Sequence, residues 1–297
     1  MSNNYQIHID TALVRRLIAE QFPQWAHLPI RPVEFGGWDN RTFHLGDHMS
    51  VKLPSGEEYA PKVEKEQYWL PKLAPLLPLP ISTPLAMGRP SEDYPYNWSV
   101  YKWIDGETAS PERITDLSQF ARELAKFLCA LQKLPLTDNP IKSPEDGERG
   151  GPLSAYDSEA REAISALRNR IDSVAVTEIW NEAMASVWQK PPVWVHGDIA
   201  IGNLLVKHGK LSAVIDFGGL GIGDPSCDLA IAWTLFKGES RDAFRSAMKI
   251  DQATWARGRG WALWKALIVC AGLPGTDPLA LAESWRVLDE ILADTIF

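Results

Sequence analysis

Cysteine is scarce in this 297-residue chain, with only Cys129, Cys227 and Cys270. The number is odd, the three lie far apart, each sits among apolar residues, and no CxxC pair occurs. Neither a disulfide framework nor a thiolate zinc site is expected; the pattern reads as reduced core thiols of a cytoplasmic protein. Positive charge is also in deficit. Lys and Arg total 30 against 38 Asp and Glu, for a formal net charge of −8. An acidic body repels polyanions, so neither nucleic acid nor an anionic membrane is an expected partner. No run of 18 apolar residues occurs, and the nearest stretch, Trp261 to Leu273, is short and broken by Lys265. The opening MSNNYQIHID has no basic segment leading into an apolar one, so no signal peptide is expected. Internal repeats are absent.

What is present is ordinary globular composition, 45% hydrophobic and 23% charged, on a chain long enough for two packed lobes. Asp10 to Gln21 has the pattern of a helix capped by Asp10, with Leu13, Leu17 and Ile18 on one face. Pro29 to Pro32 breaks the chain. Glu34 to Leu45, with Gly36-Gly37 inside it, and His48 to Leu53 read as a hairpin and a further strand. Pro61 to Leu77 is helical, with Pro71 expected to kink or end its first segment. Trp98 to Ile104 reads as a buried strand. From Ser110 the helical period dominates. Ile114 to Leu134 carries Leu117, Phe120, Leu124, Phe127, Leu128 and Leu131 on a core face. Pro135 to Tyr156 is a polar loop, Glu159 to Asp172 and Val176 to Gln189 are helical, and Val193 to Phe217 is strand-like. Helix returns from Arg241. The class is therefore α+β, with a small β-rich N-lobe over residues 1–104 and a larger, mainly helical C-lobe over 105–297. A hinge is expected near Tyr101 to Gly106.

The chemistry concentrates in WVHGDIAIGNLLVKHGKLSAVIDFGGLGIGDPSCDLA, residues 194–230. Asp198 follows His196-Gly197, Asn203 comes next, and Asp216 lies in Ile215-Asp216-Phe217-Gly218. Phosphoryl transfer asks the protein to position groups, hold a metal and stabilise charge. A carboxylate beside an acceptor hydroxyl orients it and takes its proton, which suits Asp198. Mg²⁺ prefers hard oxygen donors shared with phosphates, and Asn203 with Asp216 supply two. The turn His208-Gly209-Lys210 joins two short strands and returns the chain toward its start. His196 and Asp228 read as supports of the loop, the carboxylate accepting backbone N–H groups.

His-x-Asp-x-x-x-x-Asn followed by Asp-Phe-Gly resembles the catalytic and metal-binding loops of protein kinases. More closely, HGD-x-x-x-x-N, then IDF, then Gly-Asp-Pro-x-x-Asp-Leu-Ala resembles the aminoglycoside phosphotransferase family. The resemblance implies a bilobal protein-kinase-like fold and transfer of the γ-phosphate of ATP or GTP to a small-molecule hydroxyl. It makes Asp198 the catalytic aspartate, and Asn203 and Asp216 the Mg²⁺ ligands. Gly197 replaces the arginine of typical eukaryotic protein kinases and no Ala-Pro-Glu segment follows, so a protein substrate is disfavoured.

On the nucleotide side, Gly36-Gly37-Trp38-Asp39-Asn40-Arg41 matches neither GxGxxG nor a Walker motif. Its place before Val51-Lys52-Leu53 makes Gly37 and Asn40 candidates to cradle phosphates. Lys52, between apolar neighbours on a strand, is the candidate phosphate anchor, with Lys62 as competitor. A buried lysine needs a carboxylate, and Glu66 is chosen over Glu64 and Glu58. The base would be read by backbone groups around Lys102 and Ile104. On the acceptor side, Asp146, Glu148, Asp157, Glu159, Asp251, Asp277 and Glu283, if clustered, would suit a polycationic aminoglycoside. Trp233, Trp255, Trp261, Trp264 and Trp285 form either core or a pocket for an apolar acceptor such as a macrolide. The leading expectation is an antibiotic kinase. The alternatives are a metabolic kinase of an alcohol, amino alcohol or sugar, and a nucleotide-binding pseudokinase acting as an interaction module.

Overall fold

The computed structural model describes residues 7–34, 39–136 and 149–294. The chain forms two compact units, Met1–Gly106 together with Ala213–Gly218, and Glu107–Ser212 together with Gly219–Phe297.

The first unit opens with α1 (Thr11–Gln21), whose N-cap Asp10 accepts the Leu13 N–H at 2.8 Å. An antiparallel sheet follows, built from β1 (Ile30–Pro32), β2 (Asn40–Leu45), β3 (Met49–Pro54), β4 (Thr83–Gly88) and β5 (Trp98–Lys102), in the order β1-β2-β3-β5-β4. Leu13, Val14, Leu17 and Ile18 of α1 share one core with Phe43, Val51, Leu53, Trp98 and Val100 of the sheet. Strand alternation then decides where Lys52 points. Val51 and Leu53 are fully buried in that core, so the residue between them projects from the opposite face. There it meets α2 (Pro61–Leu73).

Prolines conceal three features of this unit. Pro29 to Pro32 is more than a break, because β1 pairs Pro32 with Phe43 at the sheet edge, where a missing N–H breaks no ladder. Strand β4 contains Pro84, occupies the other edge, and carries an irregularity between Pro84 and Ala86. Pro71 does not end α2. It sits in the last turn, where only one backbone bond is forfeited, and the helix runs on to Leu73.

The second unit contains β6 (Glu107–Thr108), α3 (Leu117–Gln132), α4 (Asp157–Leu167), α5 (Ser173–Met184), β7 (Val193–Val195) and β8 (Leu204–Lys207). Then come β9 (Lys210–Val214), whose last two residues count with the first unit, and β10 (Gly221–Gly223), α6 (Ile231–Thr234), α7 (Glu239–Met248), α8 (Gln252–Cys270) and α9 (Leu281–Ala293). The β8–β9 turn places His208 and Gly209 at φ 52° and 76°. Two successive left-handed residues make the tight hairpin that returns the chain. Helix α8 is buried on nearly every side, taking Trp255, Trp261, Leu263 and Leu267 into the core together with the cations Arg257 and Arg259. Most of the C-terminal tryptophans are thereby structural. Among the described residues, no helix is long and apolar enough to cross a membrane.

Candidate active site

In the second unit the loop after β7 is held by its backbone. Asp228, fully buried, accepts the His196 N–H at Oδ2 and the Gly197 N–H at Oδ1, both at 2.8 Å. His196, also fully buried, accepts the Asp198 N–H at Nδ1, 3.2 Å away. Burial pushes the Asp228 carboxyl up, against the opposing pull of His196 and the two N–H donors. Gly197 has φ 81°, and a Cβ there would lie 2.1 Å from the Gly219 carbonyl oxygen. A glycine is the residue this turn admits. Asn203 donates from Nδ2 to the Asp198 carbonyl at 2.8 Å and to Asp198 Oδ2 at 2.9 Å. Asp198 and Asn203 are therefore brought together, with the aspartate half-buried.

Beneath this loop, Asp224 caps Ser226 and forms a buried ion pair with Arg257, Nε to Oδ2 at 2.7 Å. Sequence reasoning did not single out Arg257. Its signal was the Arg257-Gly258-Arg259 run inside an otherwise apolar helix, where cations demand buried partners.

Asp198 opens onto a cleft of about 300 Å³ lined by Arg149, Ile199, Trp261, Lys265 and Glu283. The Arg149 guanidinium lies 5.1 Å from the Trp261 ring centroid. The acids named for the acceptor side that fall among the described residues each have another partner or a capping role. Asp157 accepts from Trp180 at 2.8 Å and pairs with Arg161, and Glu159 accepts from Trp264 at 2.9 Å. Asp251 caps α8 and pairs with Lys190, and Asp277 caps a short turn. Only Glu283 of these lines the cleft, and Arg286 pairs with it. Asp146 and Glu148 lie outside the described residues.

In the first unit Lys52, Glu66 and Asp216 form a second cluster. Lys52 Nζ donates to Asp216 Oδ1 at 2.8 Å and lies 3.6 Å from Glu66 Oε1. Burial pulls the ammonium pKa down, but the Glu66 and Asp216 carboxylates outweigh it and the net shift is upward. Glu66 is buried and accepts the Tyr101 hydroxyl at 2.5 Å. Asp216 sits at φ 62°, a left-handed conformation that is uncommon outside glycine and that aspartate tolerates better than most residues. Lys62 forms an ion pair with Asp39, and Lys65 donates to the Gly218 carbonyl at 2.9 Å. Neither contact was anticipated, since each joins residues distant in sequence. Asn40 is buried and opens β2 opposite Pro54. Lys102 ends β5 opposite Met49 and Thr83, and half-buried Ile104 follows it. Gly37 lies outside the described residues.

The family model described as the phosphotransferase enzyme family matches residues 29–261. Aminoglycoside 3'-phosphotransferase from Escherichia coli is 30% identical over 146 residues, 46% of this chain and 51% of that one. The chain thus spans about half the length of the curated relatives it matches. The fold is similar to that of the GDP and kanamycin complex of APH(2")-IIia, with TM-score 0.72 at 17% identity over 95% of this chain and 99% of that one. It is also similar to macrolide 2'-phosphotransferase type I, with TM-score 0.61 at 18% identity over 97% and 98%. A family match across both units, with the Asp198 loop inside it, settles the membership: the chain belongs to the phosphotransferase enzyme family.

Proposed function

We propose that this protein is a kinase that transfers the γ-phosphate of ATP or GTP to a hydroxyl of a small-molecule acceptor, an aminoglycoside- or macrolide-type antibiotic. The observation that carries the reading is Asp198. Its backbone is fixed by His196, its carboxylate is oriented by Asn203, and it faces a cleft. In that role Asp198 aligns the acceptor hydroxyl and takes its proton as the phosphoryl group moves. The antibiotic acceptor is supported by the names of the relatives.

The nucleotide side is assigned to the first unit. Lys52 would hold the phosphates while Glu66 keeps its ammonium in place. Asn40 and Gly37 would form the phosphate-facing turn, and the backbone near Lys102 and Ile104 would read the base. For Mg²⁺ the donor chemistry fits. Asp216 offers a carboxylate, and Asn203, whose amide nitrogen is spent on Asp198, offers its amide oxygen. When bound, the ion would offset the negative charge of the phosphates. A cytoplasmic setting is supported by three free cysteines.

The second reading, a metabolic kinase of an alcohol, amino alcohol or sugar, is favoured by one observation. Among the described residues, the acids named for a polycation are engaged with tryptophans, caps and ion pairs. The test is Mg²⁺-dependent turnover with ATP and GTP separately, across aminoglycosides, macrolides and small metabolic alcohols, with Asp198→Asn as blank. Acceptor-stimulated turnover lost in the variant supports the kinase and names its acceptor. Nucleotide binding without transfer to any acceptor moves the assignment to the pseudokinase.

A further inference from the structure

Lys62 is left over once Lys52 has been assigned to the phosphates. It lies one helical turn before Glu66 on α2, and residues four apart share a helix face. Glu66 reaches Lys52, so the same face of α2 carries Lys62 toward the Lys52–Asp216 cluster. The packing around Gly218 shows how near it comes. A carbon built onto Gly218 would lie 3.4 Å from Asp216 Oδ1, 3.2 Å from Lys62 Cδ and 3.9 Å from Lys62 Nζ. Lys62 and the Asp216 carboxylate therefore border one small space, and glycine keeps that space open.

Each of the three lysines there has an acceptor. Lys52 sits on Asp216 and Glu66, Lys62 sits on Asp39, and Lys65 is spent on the Gly218 carbonyl. Lys52 is held in a buried pocket with 16% of its side chain exposed, whereas Lys62 and Asp39 expose 31% and 36%. A partly exposed ion pair is weak. A multiply charged anion can take the lysine away from it. Such an anion, held by Lys52 beside Asp216, would lie next to the space that Lys62 borders.

We propose that Lys62 is a second phosphate-binding cation of the nucleotide site, held on Asp39 until a nucleoside triphosphate takes it over. The inference rests on the reading that the first unit takes the nucleotide. It assigns Lys62 to the phosphates, Glu66 to Lys52, and Asp39 to the resting position of Lys62.

The experiment is calorimetric binding to the full chain of the Mg²⁺ complexes of ATP and GTP, and of adenosine and guanosine. The proteins are wild type, Lys62→Met, Asp39→Asn and the double variant. Loss of a charge-assisted phosphate contact should weaken triphosphate binding in Lys62→Met by about tenfold or more and leave nucleoside binding within about twofold. Asp39→Asn should bind triphosphate as well as wild type or more tightly, because its lysine is released. The double variant should match Lys62→Met. Three results would overturn the proposal. Affinity restored in the double variant would mean that Lys62 only neutralises Asp39. Equal losses for nucleoside and triphosphate would mean a distorted unit. Unchanged triphosphate affinity in Lys62→Met would remove Lys62 from the site. Failure of the wild type to bind any Mg²⁺-nucleotide would sink the underlying reading as well, so the two failures are distinguishable.

Discussion

Asp228 accepts the backbone N–H of Gly197 at 2.8 Å with one carboxylate oxygen, and its other oxygen accepts the N–H of His196. Only the ionised carboxylate offers both acceptors. In Asp228→Asn the amide NH₂ would confront one of these donors, leaving a buried N–H unpaired at a cost of about 1–3 kcal/mol. A drop in kcat of at least about tenfold is expected, with nucleotide affinity little changed. The folded-state pKa is raised, chiefly by burial. The stabilising effect of this group is thus fully present below its unfolded pKa and declines as pH rises through the folded one. Activity runs the other way, because protonation removes an acceptor. The wild-type kcat profile should carry an acid limb above the ordinary carboxylate range that the variant lacks. A limb retained in Asp228→Asn assigns it to another group.

Asp198→Asn preserves side-chain size and an oxygen toward Asn203, so the loop should keep its conformation. What it removes is the base. A positioned general base contributes about 10²–10⁴-fold, and kcat should fall on that scale while the nucleotide Kd stays within a few-fold of wild type. Steady-state kinetics paired with calorimetry separates the two. Wild-type-like turnover would take Asp198 out of the role.

Glu66→Gln keeps an acceptor for the Tyr101 hydroxyl and leaves Lys52 on Asp216, but removes a buried negative charge beside the ammonium. A loss of about 1–3 kcal/mol in unfolding free energy is expected, with weaker nucleotide binding. The pKa of Lys52 is raised above its ordinary 10.5, the attraction of Glu66 and Asp216 outweighing burial. Its contribution is therefore fully present below the unfolded pKa and lost only as pH climbs through the folded value. The lysine stays charged at neutral pH, so its part in the deficit should be level across roughly pH 6–9. Chemical denaturation at three pH values checks this. A deficit that vanishes within that range would mean another group titrates with the pair.

Legibility in the sequence followed the distance over which a signal acts. The hairpin of β8 and β9 was readable because His208 and Gly209 are adjacent and the turn needs left-handed residues. The α1 cap was readable for the same local reason, and the pairing of Lys52 with Glu66 from the cost of burying a lone ammonium. Strands β1 and β4 were obscured by Pro32 and Pro84, which an edge position tolerates and a local reading penalises. The acceptor side stays open in the sequence for a different reason. Asp157, Glu159 and Glu283 look like free surface acids in sequence, while their partners Trp180, Trp264 and Arg286 are fixed only by helix packing. The Asp39–Lys62 contact likewise depends on how α2 lies against the sheet.

The buried pair of Asp224 and Arg257 gives the sharpest test of what supports the Asp198 loop. Their side chains are 8% and 4% exposed, and Arg257 also donates to Ser186 and Thr254. Arg257→Met leaves the Asp224 carboxylate buried without its cation, which costs about 3–5 kcal/mol. Asp224→Asn strands the guanidinium in the same way. The double variant removes both charges, so it should be more stable than the two single losses predict by addition, with a coupling of about 1–3 kcal/mol. Denaturation of all four proteins completes the cycle. Strict additivity would show that the two side chains act independently. Because the Asp224 turn leads directly into Asp228, kcat should fall with the single variants and recover partly in the double one. A double variant as stable as expected but with no recovery of kcat would place the effect of the pair in folding alone.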